Sequence, residues 1–244
     1  MSLNAIGVCR HSVQDYGAVR EPFEEALGIW RELGDDPSVA RTLSNLAATA
    51  LAQGDVGRAG ALYEQVRAAC ESVGDAAGEA WAMNFKAQVE EARGDRDAAR
   101  ALYSDALARF RALQDMWGTG DSLLALGHIA CDSGATAESR QRFDEARRVF
   151  DAAGDIRGTL RVIEGFARLA AEEGNAPRAL TLAGAAAALR QKLSLPLAPS
   201  QRERLEPALE KVRQGSAQGV GTAWMQGWSM SAQEAVQYAI DPAP

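Results

Sequence analysis

The polar and apolar positions of this 244-residue chain recur every 40 residues. A helix-closing residue stands at Gly34, Gly74, Gln114 and Gly154, and each is followed by an aspartate, Asp35, Asp75, Asp115 and Asp155. Midway between them come Gly54, Gly94, Gly134 and Gly174. The chain is therefore punctuated about every 20 residues, first by a residue suited to the left-handed conformation that ends a helix, then by a side chain that caps the next. This pattern predicts a helical hairpin, repeated.

Columns inside the unit show what each helix buries. A large apolar residue recurs at Leu43, Met83, Leu123 and Ile163, and a small one four residues on at Ala47, Ala87, Gly127 and Ala167. In the second helix a small column, Ala59, Ala99, Ser139 and Ala179, precedes an aromatic one, Tyr63, Tyr103 and Phe143, which ends in Ala183. Val66, Ala106, Ala146 and Ala186 follow. Spacings of three and four put these residues on one face of a helix. One hairpin cannot bury that face alone, but a stack of them does.

The predicted helices span residues 36–53, 56–73, 76–93, 96–113, 116–133, 136–153, 156–173 and 176–192, with Asp36 and Pro37 opening the first in the cap-then-proline order that suits a first turn. An earlier pair starts almost at Met1: Leu3, Ile6 and Gly7 share the register of Leu43, Leu46 and Ala47, and Phe23 and Ala26 that of Tyr63 and Val66. That makes ten helices in five pairs. The uncapped start predicts that this stretch was cut from a longer protein, with residues 1–3 partly an expression leader. Lys86 replaces a column hydrophobe, while Gly118, Gly120 and Gly127 predict that the helix carrying His128 bends or approaches a neighbour closely. After Lys192 the period stops. A turn at Leu195–Pro199, a helix over 201–214 capped by Ser200 and interrupted by Pro207, and two short helices over 216–227 and 231–240 are predicted, the last with a Ser231/Glu234 capping box.

The columns resemble the tetratricopeptide repeat, which has a small residue near the middle of the first helix, glycine at the turn, and Ala, an aromatic and Ala in the second. The unit here is about six residues longer than the 34-residue form, and Ala69 to Val73 with their equivalents extend the second helix by over a turn. The resemblance implies an all-α, right-handed solenoid of about five hairpins over residues 1–193. A C-terminal helical cap over 194–240 would pack on the last repeat, and 241–244 would be a linker or tail. A more particular resemblance covers Leu182–Ala187, Pro196, Ala223–Ser231 and Glu234–Ala235, which look like the end of the repeat region in bacterial LuxR-type and related signal-transduction ATPase regulators. It implies that NTPase and DNA-binding domains of the same full-length protein are among the partners.

Composition narrows the chemistry. A net charge of −7 without a basic stripe argues against direct contact with nucleic acid or an anionic membrane. No apolar run is long enough to span a bilayer, and Cys9, Cys70 and Cys131, none in metal-ligand spacing, read as reduced thiols of a cytoplasmic protein. No phosphate loop, dinucleotide fingerprint or His-Glu-x-x-His helix occurs. His11 and His128 have no catalytic neighbours in sequence, so no catalytic residue, metal or cofactor is expected.

A non-enzymatic binding role remains, for a protein or peptide or a small-molecule effector. In tetratricopeptide proteins the first helices line a groove. Carried over, that groove takes the rows Arg41, Trp81, Asp121 and Arg161; Asn4, Ser44, Asn84, Leu124 and Glu164; and Val8, Ala48, Gln88, His128 and Arg168. Candidate binding residues are Arg41, Trp81, Asn84, Gln88, Asp121, His128, Arg161, Glu164 and Arg168, with Arg161 and Arg168 spaced to hold an anionic group. The alternative is that they are ordinary exposed helix residues, with Trp81 packed on a neighbour. The lysine, asparagine and arginine set that clamps chaperone tails is absent, so a chaperone tail is not the expected ligand. Two roles stay open: the effector-sensing and interaction region of a transcriptional or signalling regulator, or a free-standing scaffold that assembles other proteins.

Overall fold

The computed structural model describes residues 20–215 and 219–241. The predicted helix near Met1, with Asn4, Val8, Cys9 and His11, lies outside the described residues, as do Ser216 and the chain end beyond Asp241. Every regular element among the described residues is helical.

Among the described residues nine helices follow the 40-residue register: α1 (Arg20–Leu33), α2 (Asp36–Ala52), α3 (Val56–Val73), α4 (Ala76–Arg93), α5 (Arg96–Leu113), α6 (Met116–Asp132), α7 (Thr136–Ala153), α8 (Ile156–Glu172) and α9 (Ala176–Leu193). Three more follow: α10 (Pro199–Gly215), α11 (Val220–Trp228) and α12 (Ala232–Ile240). The caps act as the sequence pattern requires. Asp35, Asp55, Asp75 and Asp95 each accept a hydrogen bond from the backbone N–H three residues on. Gly74, Gly94 and Gly154 close their helices in the left-handed conformation, and Gln114 does so with a side chain, at φ 56°. Among the repeat helices α2–α9, α7 alone lacks a capping side chain, because Ala135 stands where the other repeats carry Asp or Asn.

Several boundaries differ from expectation. Asp35, not Asp36, caps α2, which places Asp36 and Pro37 both inside the first turn. α10 begins at Pro199, so Ser200 is a helical residue rather than the cap, and the helix continues through Pro207. α11 begins only at Val220, after Gly219.

The chain divides into two compact units, residues 1–118 and 119–244, and the division falls within α6. In the first unit α2 packs on α3, α3 on α4 and α4 on α5. Its core gathers Phe23, Leu43, Leu46, Ala47, Ala59, Tyr63, Val66 and Val89, with Tyr63 stacked on Phe85 at 5.2 Å between ring centroids. Lys86, the column exception, reaches across to Glu64 in an ion pair.

In the second unit α7 packs on α8 and α8 on α9. Phe143 lies between the two backbones flanking it: a Cβ added at Gly127 of α6 or Gly165 of α8 would fall 2.5 Å or 2.9 Å from its ring. Phe150 sits in the same way on Gly120 and Gly158. The glycines of the His128 helix are thus sockets for aromatic rings, the second of the two expectations for them. The 40-residue unit has a further device of this kind. Gly78, Gly118 and Gly158 face Cys70, Phe110 and Phe150, eight residues earlier, at distances that no side chain would tolerate. The extra turn of each second helix buries that residue against the start of the next helix.

The three C-terminal helices belong to the second unit. α11 and α12 pack on α9, and α10 and α12 on α8. The α9–α11 contact is backbone to backbone: a Cβ at Gly184 would meet the Trp224 carbonyl oxygen at 2.2 Å, and one at Gly227 the Thr181 carbonyl oxygen at 1.7 Å. Arg178, buried in α9, donates to the Ala239 and Asp241 carbonyls at the end of α12, at 2.8 and 2.7 Å, and lies over the Tyr238 ring. A cation at a helix C-terminus meets the negative end of the helix dipole and satisfies its last carbonyls.

Candidate functional site

The predicted binding residues fall in both units. In the first, Arg41 is exposed and donates to Ser38 on its own helix at 3.2 Å. Asn84 is buried and Gln88 half-buried on α4. Trp81 packs on Phe110, at 4.9 Å between ring centroids, and on Phe85. Its indole N–H donates to Asp115 at 3.0 Å, and the same carboxylate caps α6 by accepting from Gly118 N. Trp81 is therefore packed on its neighbours, the alternative left open for it by the sequence.

The second unit brings five of the predicted residues together on α6 and α8. Residues one repeat apart stand side by side on these helices, so Arg161 donates to Asp121 at 2.5 Å and His128 has Arg168 within its electrostatic reach. Arg168 pairs with Asp132 through Nη2. The two arginines expected to share one anion thus each already hold a carboxylate of their own chain. Glu164 accepts two hydrogen bonds from Arg190 of α9, at 2.5 and 2.8 Å. Arg190 in turn donates to Gln201 of α10 and to the Pro196 carbonyl. With both partners about nine-tenths buried, the Glu164 pair ties α8, α9 and α10 together.

His128 packs edge-on against Phe143, 5.1 Å between centroids. Burial holds its imidazole well below the usual histidine range, and the positive charges of Arg204, Arg168 and Arg161 depress it further. The ring is neutral at pH 7. Its Nδ1, and Nε and Nη1 of Arg168, are buried without a hydrogen-bond partner in this unit. Such groups are uncommon in folded chains, where a ligand, an ion or an ordered water completes them.

Sequence reasoning missed Asp132, Arg190 and Arg204. Asp132 and Arg190 sit at helix ends, where repeat columns fade, and Arg204 lies beyond the periodic region, so periodicity gave no signal for any of them. Burial pushes the Cys70 and Cys131 thiols up, consistent with inert packing. Among the described residues no cluster of His, Cys, Asp and Glu could hold a metal ion, and no helix is long and apolar enough to cross a membrane. A shallow depression on α10, lined by Arg202, Glu206, Pro207, Glu210 and Arg213, shares no residue with the predicted set.

Stacked hairpins of this column pattern define a helical repeat protein. Residues 1–72 and 38–112 match the tetratricopeptide repeat family model. Solved structures of similar fold include BtubC (BKLC) from P. vanneervenii, at 17% identity and a TM-score of 0.61, covering 79% of this chain and 80% of that one. A putative kinesin light chain from Podosopora anserina with nearly identical TPR-like repeats gives 19% identity and a TM-score of 0.56, over 79% of this chain and 95% of that one. A Rap protein complexed with Competence and Sporulation Factor gives 13% identity and a TM-score of 0.62, over 91% of this chain but only 64% of its own length. At these identities the likeness is one of fold: an all-helical, tetratricopeptide-like solenoid of consecutive hairpins. No curated protein sequence matches significantly. Tetratricopeptide repeats are generally non-enzymatic scaffolds for protein interaction.

Proposed function

We propose that this chain is a non-enzymatic protein-interaction or effector-sensing module, and that its second unit receives a partner polypeptide on the face shared by α6 and α8. The observation that carries this reading is the set of buried polar atoms without partners on that face, Arg168 Nε and Nη1 and His128 Nδ1. Leaving a buried donor unsatisfied costs about 1–3 kcal/mol, so a partner that supplies acceptors there gains what the free chain lacks. A protein of similar fold bound to Competence and Sporulation Factor supports the same use of the architecture.

Selection of a displayed random-peptide library on the purified chain tests this. Enriched peptides should bind His128→Ala and Arg161→Ala about tenfold or more weakly than the parent, the loss of one charge-assisted contact, while Arg148→Ala on the exposed side of α7 binds as the parent does. Peptides indifferent to both α6 and α8 changes would move the binding surface elsewhere.

The wider setting we propose is the cytoplasm of a bacterium, within a transcriptional or signalling regulator whose NTPase and DNA-binding domains are further partners. In support, the two runs that resemble such regulators, 182–187 and 223–231, pack against each other through Gly184 and Trp224. The reading frame surrounding this sequence decides between this setting and a free-standing scaffold: an NTPase module upstream or a helix-turn-helix downstream favours the regulator, and a frame with neither removes it.

A further inference from the structure

We infer that the first unit docks a basic amphipathic helix of another protein along the turns that join its hairpins, a surface that shares no residue with the α6–α8 face proposed above. α1, α3 and α5 end on equivalent residues, Leu33, Val73 and Leu113, and all three are exposed, Leu33 at 67%. Across the last of these turns Met116 and Trp117 open α6, and Trp117 is 62% exposed. Single exposed apolar side chains are ordinary. Here they recur at one place in three successive repeats, and a tryptophan extends them where the preceding repeats carry Pro37 and Ala77. A row of that kind marks a contact surface, and tryptophan is among the side chains most often found at the energetic centre of one.

The occupant follows from spacing and charge. α1 and α3 are neighbours, tied by Arg58 to Glu24 and Arg31 to Gln65, and neighbouring helices lie about 8–10 Å apart. A helix laid along the row presents the same face every seven residues, a rise of about 10.5 Å, so apolar residues at that spacing in the partner meet Leu33, Val73 and Leu113 in turn. The flanks of the row are acidic. The turn stretches 31–37, 71–77 and 111–117 hold six carboxylates against two arginines, and Glu32, Asp36, Glu71 and Asp75 are exposed. Lysines or arginines beside the partner's apolar stripe complement them. The same charge disfavours the two other occupants of an apolar row. A second copy of this chain, paired about a two-fold axis, would set these carboxylates against their own image, and an anionic membrane surface would repel them.

Three synthetic peptides test this. The first is three copies of Leu-Ala-Gln-Leu-Lys-Ala-Lys, whose lysines flank a leucine stripe of heptad period; the second has Glu in place of Lys, and the third Ala in place of Leu. Affinity is read by fluorescence anisotropy of the labelled peptide, and the site by the indole N–H resonance that disappears in Trp117→Ala. The first peptide should bind saturably and shift that resonance, and the other two should bind at least about tenfold more weakly. Trp117→Ala, an exposed position whose folding is checked by circular dichroism, should weaken binding of the first peptide about tenfold or more, the scale of a contact centre. Glu32→Gln with Asp36→Asn should weaken it about threefold and lessen its dependence on salt, while Arg148→Ala in the second unit should bind as the parent does. The inference is overturned if the first peptide does not bind, if the glutamate or the alanine peptide binds as tightly, or if Trp117→Ala binds like the parent. It is equally overturned if the parent sediments as a dimer that Trp117→Ala dissolves, which gives the row to a second copy, or if phosphatidylglycerol vesicles shift the Trp117 resonance as the peptide does.

Discussion

A single methyl group at Gly227 tests how the C-terminal helices are held. The Cβ of Gly227→Ala would lie 1.7 Å from the Thr181 carbonyl oxygen and 2.9 Å from the Ala185 amide nitrogen, both backbone atoms of α9. No side chain can swing away to make room, so α11 must retreat by about 1.7 Å to reach the ordinary contact distance of 3.4 Å. That separation opens the backbone contact at Gly184 as well and withdraws Ala223 from its buried position. Overpacking of this kind costs about 1–3 kcal/mol, against a gain of up to about 1 kcal/mol from replacing glycine in a helix. The rigidity of both partners puts the net cost toward the upper end, at about 2 kcal/mol. Gly221→Ala on the same helix is the matched control, because a Cβ there meets nothing within 4 Å. It should stabilise by about 0.5–1 kcal/mol. Urea unfolding midpoints of the two variants, with amide exchange across residues 220–228 to detect local undocking, give the comparison. If Gly227→Ala is as stable as Gly221→Ala and its α11 amides stay equally protected, the helices are not in backbone contact and this account of the seam is wrong.

Further outcomes follow from the same structure. Ala135→Asp, which restores the missing cap of α7 in a backbone conformation close to that of the capped helices, should raise stability by about 0.5–2 kcal/mol in chemical unfolding. Arg190→Ala leaves Glu164 buried without its partner and should cost about 3–5 kcal/mol; an unchanged urea midpoint would show that the tie across α8, α9 and α10 contributes nothing. His128 has a folded-state pKa below its unfolded value of about 6.5, so the unfolded chain takes up the proton first and stability is lost as pH falls through 6.5. The unfolding midpoint should therefore drop between about pH 7.5 and about pH 5.5, and His128→Gln should remove part of that drop. Truncation after Lys192 removes α10–α12 and exposes the α9 face around Ala183 and Ala186, so the shortened chain should melt earlier and self-associate; an unchanged melting temperature in a monomer would contradict a covering role for these helices.

The sequence determined the hairpins and most of the core. Helix ends are local chemistry, an aspartate accepting from the amide three residues on and a glycine free to take positive φ, so Asp55, Gly74 and Asp75 mark their boundaries without reference to anything distant. Columns 40 residues apart are buried because each copy meets the same surroundings: Tyr63, Tyr103 and Phe143 are all enclosed. What the tertiary structure decided is how one copy's exceptions meet the next copy's. Gly118 and Gly158 look like helix weaknesses until Phe110 and Phe150 occupy the space their missing side chains leave. Arg161, Glu164 and Arg168 look like open binding positions until Asp121, Arg190 and Asp132, brought close only when helices stack, take up their charges. Charge pairing acts across space with no fixed sequence spacing. The periodicity therefore located the face carrying His128 and Arg168, and only the packed helices showed which of its atoms are left without a partner.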